Sequence, residues 1–339
     1  MPSPFRIGIV GTGLIVQESH LPACLAASDV EVSALVDAAP GRADGCARRF
    51  GLAARILSDA SELAGIVDGV IIATPDDSHA EIAERCLQAR LPVLIEKPLA
   101  PTDEECERIR EAARRQATTV AVGYCLRFWP SVDLVANLLR SGALGTPRRY
   151  VMQVGSSGGW APLSAYYLRR QGGGAMSING SHYLERALHW FGTATDVAYE
   201  DDSDGGPEAN AMATLRHGDV TGVVRVSRTT KLNAGSAIET DRGTLVHRDF
   251  QAPVVEFIPH GDPSAGFVSS RKDVTVSGRP DAYRLQVEDF AQSVRTGQPP
   301  RVGVDHGAAV TRLINDLYRC KRRMDDRWYS PGSSMGASR

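Results

Sequence analysis

A chain of 339 residues with 42% hydrophobic and 23% charged side chains is long enough for two ordinary domains and has the composition of a globular protein. Its formal net charge of -2 argues against a nucleic-acid or anionic-membrane surface. No apolar run approaches the ~20 residues a membrane span needs.

The first apolar run, Phe5–Val10, reads as a strand rather than a signal peptide, because no small-residue cleavage site follows it. Further strand-like runs are expected at Val30–Val36, Gly69–Ala73, Val93–Ile95 and Thr119–Val122, with helix-like segments such as Glu81–Gln88 and Asp103–Gln116 between them. Thr102 followed by Glu105 predicts a capping box. Alternating elements of this kind give a doubly wound parallel sheet over residues 1–123.

The pattern changes near Tyr124. One helix, Ser131–Leu139, precedes longer strand-like runs at Arg149–Gly155, Ala209–Arg216, Thr221–Arg228, Ser236–Thr240 and Thr244–His247. Strands without intervening helices favour a large open, mostly antiparallel sheet in a second domain over 124–329. The acidic, glycine-rich stretch from Asp201 to Glu208 reads as a solvated connection, and 330–339 as a frayed tail. The cysteines, Cys24, Cys46, Cys86, Cys106, Cys125 and Cys320, form no C-x-x-C pair and no metal-ligand spacing, as reduced thiols of a cytoplasmic protein would.

Gly11-Thr12-Gly13 directly follows a strand and opens a helix, the context in which a glycine-rich turn cradles a dinucleotide pyrophosphate. The cofactor is expected against Gly11, Thr12, Gly13, Leu14 and Ile15. The third motif position is Val16 rather than glycine, which predicts looser packing of helix on strand. Asp37 ends the second strand, where a carboxylate holds the adenosine ribose and repels a 2′-phosphate. The next residues are Ala38 and Ala39, so NAD is favoured over NADP, with Arg42 softening the preference.

Three further motifs resemble the glucose–fructose oxidoreductase / inositol dehydrogenase / MocA family. They are Ala73-Thr74-Pro75-Asp76-Asp77-Ser78-His79, then Glu96-Lys97-Pro98, then Gly172-Gly173-Gly174 leading to His182 and Glu185. The resemblance runs from about residue 5 to 325. It implies a Rossmann domain followed by an α+β domain, hydride transfer between NAD(P) and a sugar or cyclitol, and homo-oligomers (dimers or tetramers) through the open sheet face. Thr74, Pro75, His79, Glu96 and Lys97 then line the cofactor, and the Lys97–Pro98 bond is often cis.

At the carboxyl end of a parallel strand, Lys97 suits gripping the reacting oxygen, while His182 suits acid–base work near neutral pH. Glu96 is expected to orient backbone or cofactor. Glu185 and His189 share a helix face, but a metal site there is not expected. The family's aspartate four residues before the histidine is Ile178 here, which predicts a less basic imidazole. Asn179 is either a substrate contact or a helix-start cap. Tyr124, Arg127, Trp160, Tyr166, Tyr167 and Arg169 complete the expected substrate side, as aromatic faces and polar tips for hydroxyls.

The reading is therefore an NAD-dependent dehydrogenase of a ring secondary hydroxyl on a sugar, an aminosugar or aminoglycoside, or a cyclitol. The alternatives are a glycosidase that retains NAD and a non-catalytic sensor of dinucleotide and sugar.

Overall fold

The computed structural model describes residues 3–157, 172–249, 254–270 and 278–325. Six strands open the chain: β1 (Phe5–Val10), β2 (Val30–Val36), β3 (Arg55–Leu57), β4 (Gly69–Ile72), β5 (Val93–Ile95) and β6 (Val120–Val122). They form one parallel sheet in the order β3-β2-β1-β4-β5-β6. β4 and β5 are buried along their whole length, as their unbroken β-branched and leucine runs require of strands covered on both faces. The helices α1 (Leu21–Ala26), α2 (Arg42–Phe50), α3 (His79–Gln88) and α4 (Asp103–Gln116) supply that cover. At the head of α4 the capping box forms in both directions, Glu105 N–H to Thr102 Oγ1 and Thr102 N–H to Glu105 Oε2, each 3.2 Å.

Strand order reverses between β1 and β4, and the crevice at their carboxyl ends is where such sheets take ligands. Gly11 sits there with φ +89°, and a Cβ on it would lie 2.7 Å from the carbonyl oxygen of Ala73. Only glycine satisfies both conditions. Val16 does not loosen the packing. It is fully buried in the core with Ile7 and Ile9, and the backbone winds as a wider π-helical turn over Val16–His20 before α1.

Helix α5 (Pro130–Ser141) leads into a nine-stranded sheet. Its strands are β7 (Pro147–Gly155), β8 (Asp196–Asp201), β9 (Asn210–His217), β10 (Val220–Ser227), β11 (Leu232–Thr240), β12 (Gly243–Arg248), β13 (Val254–Pro259), β14 (Phe267–Ser270) and β15 (Lys321–Arg323). The order is β14-β13-β12-β11-β7-β10-β9-β8-β15, antiparallel except at β7–β10 and β8–β15. Burial alternates along β9 and β10. The inward residues, among them Ala211, Leu215, Val224 and Val226, share a core with Tyr183, Leu184 and Ala187 of α6 (Ser181–Phe191).

Two final helices join the halves. Phe290 of α7 (Arg279–Thr296) meets Phe5 of β1 edge-on at 5.9 Å, and Val287 enters the same core as Ile7 and Ile9. In α8 (Val304–Arg319), Thr311 hydrogen-bonds the carbonyl of Ala100, and Asn315 that of Pro101.

The stretch from Asp201 to Glu208 is solvated only in its middle. Asp201 and Glu208 are 1% and 2% exposed. Asp201 pairs with Lys321 at 2.8 Å, and Glu208 accepts from the Met176 N–H and the Tyr318 hydroxyl, 2.9 Å each. No helix among the described residues is long and apolar enough to cross a membrane.

Candidate active site

Three chain segments converge above the crevice. The first is the turn after β1. Asp37 at the end of β2 accepts from the Thr12 backbone N–H (2.8 Å) and hydroxyl (2.7 Å), and from the Ala39 N–H (2.9 Å). Burial works to raise the Asp37 pKa, but these hydrogen bonds outweigh it and hold the carboxylate below its usual range. Arg42 stands 3.8 Å from it with a largely exposed side chain. A Cβ on Gly13 would meet nothing within 4 Å, so the turn leaves open space where a pyrophosphate would approach. The residues present fit a dinucleotide.

The second segment follows β4 and β5. The imidazole of His79 is buried between two carbonyls, Thr74 O and Pro98 O, each 3.0 Å from a ring nitrogen, and so ties the two loops together. The Lys97–Pro98 bond is cis. Glu96 does not face outward: its Oε1 pairs with His20 at 2.8 Å and its Oε2 accepts from the Lys97 N–H at 3.0 Å. Burial would raise the Glu96 pKa, but His20 and Lys97 bring it down to about 2. Close approach of β6 to this loop requires Gly123, where a Cβ would lie 2.9 Å from the Glu96 Cα.

The third segment begins at Gly172. A π-helical turn over Met176–Gly180 runs directly into α6. Glu208 holds its start through the Met176 N–H, and Gly174 leaves room for that carboxylate, since a Cβ there would fall on it. Asn179 lies inside this turn, so it does not cap a helix start; its side chain is exposed, and its Oδ1 accepts from Arg228 at 3.2 Å. The Lys97 ammonium crosses from the first domain to donate to the Ile178 carbonyl, 2.9 Å away. Burial lowers the Lys97 pKa below the ordinary 10.5, with Arg279 reinforcing and Glu96 opposing.

His182 is 8% exposed, its Nδ1 has no hydrogen-bond partner among the described residues, and its ring meets the buried Tyr124 ring edge-on at 5.8 Å. Burial, then the charges of Lys97 and Arg279, bring its pKa down to about 3. The expected loss of basicity is present, but desolvation rather than the absent aspartate is its chief cause.

Arg127 is buried and forms an ion pair with Glu185, and His306 of α8 joins both, 2.9 Å from Glu185 and 3.0 Å from Arg127. This cluster holds α6 in place and draws Arg127 toward the core. His189 has no part in these bonds, and no metal-binding cluster of His, Cys, Asp and Glu occurs among the described residues. Trp160, Tyr166, Tyr167 and Arg169 lie outside the described residues. Arg279, at the start of α7, is the residue that the sequence reading misses. Its guanidinium lies 5.8 Å over the Tyr283 ring, and its charge acts on both Lys97 and His182.

Residues 5–124 match the family described as "Oxidoreductase family, NAD-binding Rossmann fold", and residues 132–246 the "GFO/IDH/MocA C-terminal domain". The chain is 28% identical over 313 residues to the rhizopine catabolism protein MocA of Rhizobium meliloti, covering 87% of this chain and 88% of that one. It is 40% identical over 143 residues to inositol 2-dehydrogenase 2 of Saccharopolyspora erythraea, covering 41% and 42%. Levoglucosan dehydrogenase, solved with NADH and levoglucosan, shares the fold at a TM-score of 0.83 and 19% identity, over 94% of this chain and 97% of that one.

Proposed function

This chain belongs to the GFO/IDH/MocA family of NAD(P)-dependent oxidoreductases, and from that premise we propose that it oxidises a ring secondary hydroxyl of a sugar or cyclitol to a ketone, or runs the reverse, with NAD as cofactor. The observation that supports the reading is the Lys97 ammonium, which crosses to donate to the carbonyl of Ile178, four residues before His182, with its charge acting on that buried imidazole.

The turn at Gly11 and Gly13 and the Asp37 carboxylate would hold the dinucleotide, which would supply the hydride acceptor. The hydroxyl proton must go to a base, and the developing charge on oxygen needs a positioned donor. With a pKa of about 3, His182 is a weak base and stays neutral throughout the working range, so its imidazole orients the substrate hydroxyl through a hydrogen bond. The proton passes instead to Lys97, whose lowered pKa allows the neutral amine to take it and the ammonium to hold the oxygen. Glu96, locked by His20, fixes the backbone at Lys97 rather than entering the reaction. The cofactor preference rests on Asp37, whose carboxylate stands where a 2′-phosphate would be repelled.

Absorbance at 340 nm with NAD and a panel of polyols, aminosugars and cyclitols tests the proposal. NADH should form with at least one of them. Release of nitrophenol from a nitrophenyl glycoside without net NADH would support the NAD-retaining glycosidase instead, and sugar binding with no turnover would support the sensor.

A further inference from the structure

The Gly172-Gly173-Gly174 run leads into the turn that presents the Ile178 carbonyl, and no side chain of its own caps the start of that turn. The leading N–H groups of such a winding need acceptors from elsewhere. Glu208, 32 residues beyond Met176 and 2% exposed, supplies two. Its backbone carbonyl accepts from the Ala175 N–H at 3.0 Å, and its Oε1 from the Met176 N–H at 2.9 Å. A Cβ at position 174 would fall on the Glu208 carboxylate, so this acid requires the third glycine of the run. The Tyr318 hydroxyl donates to the same Oε1 at 2.9 Å, and the Tyr318 ring meets Tyr199 edge-on at 5.4 Å. Tyr318 lies on α8 three residues beyond Asn315 and seven beyond Thr311, a spacing that puts all three on one helix face. Thr311 and Asn315 hold the Ala100 and Pro101 carbonyls of the loop that carries Lys97. One face of α8 therefore grips both sides of the Lys97–Ile178 contact: the loop behind the ammonium directly, and the turn behind the carbonyl through Glu208.

We propose that Glu208 and Tyr318 are positioning residues for the reaction, which act through the Ile178 carbonyl to hold the Lys97 ammonium in its working place. This rests on the dehydrogenase reading above. Around Lys97 stand Glu96, Asp76, Cys125, Arg279 and His182, and around Glu208 stand Tyr199, Tyr318 and Asp201, the last paired with Lys321. Without the Glu208 carboxyl the Met176 N–H loses its acceptor, the start of the turn opens, and the Ile178 carbonyl leaves Nζ. A buried ammonium stripped of its acceptor gives up its proton more easily, but the amine is no longer aimed. A cap with a structural role only would lower stability without moving either property of Lys97.

The test compares wild type with Glu208→Ala, Glu208→Gln and Tyr318→Phe. Asp201→Asn serves as a stability control, since it weakens the buried Lys321 pair and leaves the acceptors of the turn in place. With NAD and the polyol or cyclitol that yields NADH, Glu208→Ala should lose about tenfold to a hundredfold in kcat with KM within about threefold, and Tyr318→Phe should lose less. Glu208→Gln keeps an acceptor for the Met176 N–H and should recover most of the loss. The alkaline-rising limb of kcat/KM should move to lower pH in Glu208→Ala by about half a unit or more. Nuclear magnetic resonance of isotope-labelled lysine side chains reads the same quantity without turnover. The chain has four lysines, so Lys97→Met assigns the Lys97 signal. Its titration midpoint should fall in Glu208→Ala while that of Lys231 stays. Should Glu208→Ala fail to fold, the midpoint in Tyr318→Phe decides in its place. An unmoved Lys97 midpoint overturns the proposal, and so does an equal loss of kcat in Asp201→Asn at equal loss of Tm. If no compound yields NADH, the dehydrogenase reading fails and the midpoint alone decides: a shift upholds the hold on Lys97, and no shift sinks it.

Discussion

The Lys97 ammonium is bound by the backbone of residue 178, not by a side chain: Nζ donates to the Ile178 carbonyl at 2.9 Å. A carbonyl satisfies one N–H of the ammonium but brings no full charge, so it does little to offset the desolvation that lowers the Lys97 pKa. The neutral amine is therefore easier to reach than in an exposed lysine. The π-helical winding over Met176–Gly180, where Glu208 secures the first turn, presents this carbonyl to the lysine.

Replacing Ile178 by Asp supplies the missing charge. A carboxylate beside Lys97 favours its protonated form, and the alkaline-rising limb of kcat/KM for alcohol oxidation should move upward by about 1–3 pH units. A pH–rate profile checks this, and an unmoved limb would show that another group takes the proton.

Asp37 should decide the cofactor. Its carboxylate is engaged by Thr12 and Ala39, with Arg42 3.8 Å away and free to swing toward a phosphate. Asp37→Ser should lower the NAD over NADP ratio of kcat/KM by about tenfold or more, the effect of removing one like-charge repulsion and two ribose contacts. An unchanged ratio would mean that discrimination lies elsewhere.

Much of this arrangement is legible in the sequence, for identifiable reasons. Gly11, Gly13 and Asp37 announce themselves because a tight turn, an open approach and a ribose contact each demand one residue type at one spacing. The strands of the parallel sheet are written in short β-branched runs. Arg279 carries no such mark. Its charge acts on a lysine 182 positions earlier in the chain only because α7 folds back on β1. The burial of Asp201 and Glu208 is invisible for the same reason, since their partners Lys321 and Tyr318 come more than a hundred residues later. Position 178 is an intermediate case: loss of the aspartate is plain in the sequence, but use of the carbonyl in its place is not.

Acid should destabilise the protein well above the carboxylate range. His182 is held neutral with a pKa of about 3, and His189 and His247 with pKa values of about 4, chiefly by burial. The unfolded chain binds these protons near the ordinary 6.5, so the stability they contribute is complete above that pH and is lost as pH falls toward 3–4. Each proton costs up to about 1.4 kcal/mol per pH unit. Glu96, Glu185 and Asp249, all lowered to about 2, add their own losses only below the ordinary carboxylate range. Thermal melts should show Tm dropping between pH 7 and 5, and a flat Tm across that interval would contradict the buried neutral imidazoles.

The role given to Lys97 is tested most directly by Lys97→Met, which keeps most of the buried stem and removes the ammonium. Turnover at 340 nm should fall by about a thousandfold, within the range attributable to a positioned acid–base group, while the NAD dissociation constant stays within a few-fold of wild type. A variant that still oxidises its substrate at near wild-type rate would contradict the account, whatever its affinity for NAD.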